Sequence, residues 1–137
     1  TGEALAVVDL DTVMPGLVLH DFGDLVRSAA GGSREDERDV GRVRARPEVF
    51  AALLLGYLDA MGDHLTAAEV DHLAFAPRLI AVELGVRFLT DHLLGDRYFH
   101  ARRPGQNLDR CRVQQALARS FAEQERDFER QVRTRVP

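Results

Sequence analysis

Residues 77 to 94 read Pro-Arg-Leu-Ile-Ala-Val-Glu-Leu-Gly-Val-Arg-Phe-Leu-Thr-Asp-His-Leu-Leu. Wound as a helix over 78–94, they place Leu79, Ile80, Val82, Leu84, Val86, Phe88, Leu89 and Leu93 on nearly every side. A helix with so little polar surface belongs at the buried centre of its domain. The chain is therefore expected to wrap other helices around it. The exceptions, Glu83, Arg87 and Asp91, recur every four residues and form one row. Charges on a buried helix must be paired or must line a cleft, because an isolated buried ion is too costly. The row is either an internal ladder or the wall of a site.

The partners for that helix are legible on both sides. Pro47 suits a first helical position, and Phe50, Leu53, Leu54, Tyr57, Leu58 and Met61 follow at helical spacing, predicting a helix over 48–61 that Gly62 ends. Thr66 with Glu69 makes a capping box, Leu65 and Val70 form a hydrophobic staple, and a helix over 67–76 follows, broken at Pro77. Asn107 is placed to cap a last helix over 108–133, with Val113, Leu117, Phe121, Phe128 and Val132 as its packing face. That stripe misses a turn near Gln124, which favours packing along a helical lobe over a coiled-coil seam. Upstream, Phe22, Leu25, Val26 and Ala29 predict a helix over 21–30 with Asp21 as its cap and Gly31-Gly32 as its end. Residues 33–46 alternate in charge with almost nothing to bury and read as a mobile surface loop.

The N-terminal stretch is different in kind. Ala4 to Leu10 predicts a short β-strand, and residues two apart on a strand point the same way, so Asp9 and Asp11 leave its end on one face. Two such carboxylates suit a magnesium ion, or they are simply solvated acids at a strand end. Leu5, Val7 and Val8 would leave an unpaired edge, and antiparallel pairing of two copies through it, as a homodimer, is the simplest closure. The fold class expected is mostly α (α+β), helical with one short N-terminal strand.

Composition sets the outer bounds. A chain of 137 residues with 45% hydrophobic and 29% charged residues is one ordinary globular domain with a real core. A net charge of −4 argues against a general nucleic-acid binder. The single Cys111 cannot form an internal disulfide, which fits a reducing cytoplasm. Five histidines show no metal-ligand spacing. All 18 basic residues are arginine, so an Arg is not special here for not being Lys.

Val-Val-Asp-Leu-Asp-Thr at 7–12, Pro-Gly at 15–16 and His-Asp-Phe-Gly-Asp-Leu-Val-Arg at 20–27 resemble the segment after the catalytic loop in aminoglycoside-phosphotransferase-like kinases. Gly-Val-Arg-Phe-Leu-Thr-Asp-His-Leu at 85–93, Asp-Arg-Tyr-Phe at 96–99 and Arg-Pro-Gly-Gln-Asn-Leu-Asp-Arg at 103–110 extend the likeness, which is nearest to the N-acetylhexosamine 1-kinase branch. The resemblance implies the helical C-terminal lobe of a protein-kinase-like fold. It implies Asp9, with Asp11, as magnesium ligands and Asp21, despite its Asp-Phe-Gly setting, as a structural residue. Arg87 and Tyr98 correspond to sugar-contacting residues, with Asp91 beside them orienting Arg87. The activity implied is transfer of the γ-phosphoryl group of ATP to a sugar or aminoglycoside-like hydroxyl. The chain lacks a lysine, a glycine-rich nucleotide loop and a His-x-Asp-x-x-x-x-Asn catalytic loop. The 137 residues are thus expected to be a partial domain without the nucleotide lobe, inactive alone. The alternative is a free-standing helical interaction module with no catalysis.

Overall fold

The computed structural model of the chain describes residues 3, 5–11 and 13–135. Five helices carry the fold: α1 Val18–Ala30, α2 Pro47–Met61, α3 Ala67–His72, α4 Ala76–Leu93 and α5 Gln106–Arg133. The broadest packing is between α4 and α5; α1 lies across α4, and α2 closes against α1 and α5.

The core forms where these helices converge. Phe22 and Val26 of α1, Phe50 and Leu54 of α2, Leu73 after α3, and Phe121 and Phe128 of α5 are all buried. The Phe50 and Phe128 rings stack at 4.3 Å, and Phe22 meets Phe50 edge-on at 6.0 Å. Two glycines let the helices come this close. A Cβ on Gly23 would lie 2.9 Å from the Ala76 carbonyl oxygen, so α1 can rest on α4 only without a side chain there. A Cβ on Gly85 would lie 3.3 Å from Gln114, on the seam with α5 where Cys111 is buried.

Several sequence expectations hold in detail. Thr66 and Glu69 form the capping box reciprocally, and Leu65 and Val70 are each partly buried against the core. The α5 stripe is buried as expected. Its gap near Gln124 is filled by hydrogen bonding instead: Gln124 Nε2 donates to the Ala45 carbonyl at 3.1 Å, while the Ala45 N–H donates to Ser120 Oγ at 3.1 Å. This clasp also corrects the reading of residues 33–46. Val43 and Ala45 are buried, and a 3₁₀ turn at Val40–Arg42 leads into them, so the end of the segment is bound to α5.

Other expectations are corrected. Among the described residues there is no β-strand; residues 5–10 are irregular and exposed, and Ala4 lies outside the described set. A single extended segment has no partner for its backbone donors and acceptors, so apolar alternation alone does not make it a strand. Helix α1 begins at Val18, a turn earlier than expected, because Leu19 joins the apolar period. Asp21 is therefore inside the first turn, and Leu17 occupies the cap position. Likewise α5 starts at Gln106 after Gly105, whose φ of 71° is left-handed, and Asn107 turns inward instead of capping. The expected separation of two helices near Pro77 is present, but α3 already ends at His72 instead of running to 76, and Pro77 occupies the first turn of α4, as its missing N–H allows.

The largest correction concerns α4 itself. It buries Ile80, Ala81, Gly85, Phe88 and Asp91 on one side, but Leu79, Val82, Val86 and Leu93 face outward, Val86 at 59% and Leu93 at 75% exposure. The helix is central on one face and bare on the other. Among the described residues no helix is long and apolar enough to cross a membrane.

Candidate functional site

The last turn of α4 and the connector to α5 are built around Asp91. Its carboxylate accepts the backbone N–H groups of Arg97 at 2.9 Å, Tyr98 at 2.8 Å and Phe99 at 2.9 Å. The buried Asn107 amide donates to Asp91 at 3.0 Å and to Asp96 at 2.9 Å. Burial pushes the Asp91 carboxyl up, but the three N–H donors outweigh it and hold the group below its ordinary value. Asp96 takes a positive φ of 55°, the sharp bend that turns Tyr98 and Phe99 back over α4.

That bend brings Arg87 and Tyr98 together. The guanidinium of Arg87 stands 5.9 Å from the Tyr98 ring centre and 5.4 Å from that of Phe99. With Val86, Thr90 and Leu94 these residues line a recess of about 370 Å³. Arg87 also borders a second recess of about 390 Å³, between α1 and α4, into which His20, Asp21, Asp24 and Glu83 face. Asp24 is bonded to Arg27 at 2.7 Å. Arg87 thus stands on the ridge between an aromatic hollow and an acidic one.

The expected site residues therefore separate into groups. Arg87 and Tyr98 share one hollow, and Asp21 shares the other with Arg87. Asp91 sits beneath the first, but its oxygens are directed to the connector's backbone and to Asn107; the expectation that it orients Arg87 gives way to one that it shapes the connector. The row of Glu83, Arg87 and Asp91 is not a ladder, since Glu83 and Arg87 are exposed and only Asp91 is buried. Phe99 was not singled out from sequence, and Asn107 was read there as a helix cap, not as part of the site. An Asp ahead of a Gly-Asp bend, whose oxygens can receive successive N–H groups, was the available signal.

Asp9 and Asp11 border neither recess. Both are exposed, and Asp9 has a left-handed φ of 65°, so the extended backbone that was to aim the two carboxylates together is absent. Among the described residues no three His, Cys, Asp or Glu side chains converge to hold a metal ion. No chemical step is assigned to a magnesium ion on these two acids. No protein-family model matches the chain.

Chemically, the Arg87 hollow combines hydrogen-bond donors with a flat apolar face. A guanidinium offers five N–H donors in a fixed fork, and Tyr98 supplies a flat apolar face with a hydroxyl at its end. Val86 and Leu94 give one side of the recess an apolar rim.

Proposed function

We propose that this chain is the acceptor-binding helical lobe of an ATP-dependent small-molecule phosphotransferase of the aminoglycoside-phosphotransferase-like kind, with a sugar-type hydroxyl as acceptor. The observation that carries the reading is the approach of Arg87 to the Tyr98 ring across the α4 to α5 connector. Both residues were singled out from sequence as sugar contacts, and each comes from a different stretch of the resemblance. In this reading Arg87 donates to ring or acyl oxygens, Tyr98 covers the apolar face of the sugar, and Asp91 holds the connector that carries Tyr98. The resemblance would put magnesium on Asp9 and Asp11, and ATP, in the complete phosphotransferase; the arrangement of the two acids here lends that part no support. Neither the nucleotide site nor the catalytic base is assigned to these residues, and the 137-residue chain alone turns over no ATP.

Titration of the chain with N-acetylglucosamine, followed by amide chemical shifts, tests the reading. Shifts should cluster on residues 86–99, and Arg87→Ala should weaken binding by about tenfold, the loss of a charge-assisted pair of hydrogen bonds. Shifts scattered over the surface, or unchanged by Arg87→Ala, would remove the sugar site.

The rival reading, a non-catalytic interaction module, is favoured by the outward row of Leu79, Val82, Val86 and Leu93 on α4. Loss of a binding partner on Val82→Glu with sugar binding intact would support it.

A further inference from the structure

A third hollow shares Phe99 with the Arg87 recess but is lined by neither Arg87 nor Tyr98. It measures about 770 Å³ and lies between α4, the first turns of α5 and residues 34–36. Its floor is aromatic: the Phe88 and Phe99 rings are 4.6 Å apart, with Leu84 beside them. Its walls hold four arginines, Arg34, Arg102, Arg103 and Arg110, against two acids, Glu35 and Asp36. In a chain whose net charge is −4 this is a local reversal of sign.

The four arginines are not equally engaged. Arg103 is held by Asp109 at 2.7 Å, just behind the wall. Arg34 is 83% exposed and reaches Asp36 only at 3.4 Å. Arg102 gives its backbone N–H to Gln106 Oε1 at 2.6 Å, which fixes its position on the wall. Arg110 is the telling member. Its guanidinium lies 5.5 Å from the centre of the Phe88 ring and donates from Nη1 to the His100 carbonyl and Asn107 Oδ1. Its buried Nε has no hydrogen-bond partner, although a Glu35 carboxylate oxygen stands 3.1 Å away. Glu35 is thus near the guanidinium but out of line for its donor. A side chain half exposed on a charged surface segment occupies the position an external anion would take.

We propose that this hollow binds a phosphate monoester carried on a flat apolar group. The phosphate displaces Glu35 and is shared by the Arg110 and Arg102 guanidinia, while the apolar group rests on Phe88 and Phe99. Two arginine forks match the oxygens of a phosphate dianion, and an aromatic floor adds area that inorganic phosphate cannot use. Glu35 acts as a tethered competitor.

The test is calorimetric titration of the full chain with phenyl phosphate at low salt, with inorganic phosphate as the comparison. Saturable binding of one phenyl phosphate is expected, at least about tenfold tighter than inorganic phosphate because the ring is buried. Arg102→Gln, a substitution of an exposed side chain, should weaken it by about tenfold, and Glu35→Gln should tighten it several-fold. Both variants should keep the wild-type circular dichroism. Added salt should weaken binding, as for any phosphate held by exposed cations. Absence of saturation overturns the proposal, as does binding indifferent to both substitutions. Arg87→Ala leaves phenyl phosphate binding unchanged here, which separates this site from the sugar hollow.

Discussion

The Asn107 side-chain nitrogen lies 3.0 Å from Asp91 Oδ2, so an amide enclosed at the start of α5 secures a carboxylate at the end of α4. The same residue accepts from Arg110 through its Oδ1 at 2.7 Å. Asn107→Leu removes all of this and leaves neighbouring polar groups short of partners. Each orphaned buried group costs about 1–3 kcal/mol, so the expected loss of stability is about 3 kcal/mol. Urea denaturation measures it, and a change of under about 0.5 kcal/mol, the level of an ordinary surface substitution, would show that the bonds are replaced by water.

Acid should remove the contribution of Asp91 to stability. Asp91 is held below its ordinary value of 3.8 in the folded state, so the unfolded state takes up the proton more readily. Its contribution is therefore fully present above pH 3.8 and is lost as pH falls towards the lower folded value. Asp91→Asn should lower the unfolding temperature at pH 6, and the gap from wild type should narrow as pH drops below about 4. A gap independent of pH would mean that the carboxylate's charge has no part in holding the bend.

Two glycines should respond in opposite directions to the same substitution. A methyl group on Gly23 meets Ile80 Cγ1 at 2.7 Å and the Ala76 backbone at 2.9 Å, whereas one on Gly56 meets nothing within 4 Å. Gly56→Ala should stabilise the chain by about 1 kcal/mol through helix propensity alone. Gly23→Ala gains the same propensity but overpacks the α1 to α4 crossing, for a net loss of about 1–2 kcal/mol. Thermal melts of the pair decide, and stabilisation by both would mean that α1 does not rest on α4 at this distance.

The N-terminal segment should find company in solution. Leu5, Val7 and Val8 are exposed at 88%, 80% and 78%, with backbone groups not engaged in a sheet among the described residues. Such a run is a template for another copy. Sedimentation at tens of micromolar should show a dimer, and Val7→Asp should return it to monomer. A monomeric wild-type chain would reject pairing through this segment.

What could be read from the sequence follows from where each signal originates. The capping box at Thr66 and Glu69 and the stripe from Val113 to Val132 are local patterns with local causes, and both are present. The strand at 4–10 needed a partner that no pattern within those residues can reveal. The outward face of α4 escaped because composition reports how apolar a helix is, not how many neighbours surround it. Arg87 and Tyr98 were legible as a pair, while the hub beneath them was not: Asn107 has the residue type of a cap and the position of a core residue, and only the left-handed Gly105 before it decides between them.

Cys111 gives the α4 to α5 seam a clock of its own. It is the only thiol in the chain, it is buried, and burial pushes its pKa up, with Arg112 offsetting part of the rise. Alkylation requires an exposed thiolate, so a reagent added to the native chain must wait for the two helices to part. The ratio of that rate to the rate in the unfolded chain is an opening constant for this seam, obtained without an engineered label.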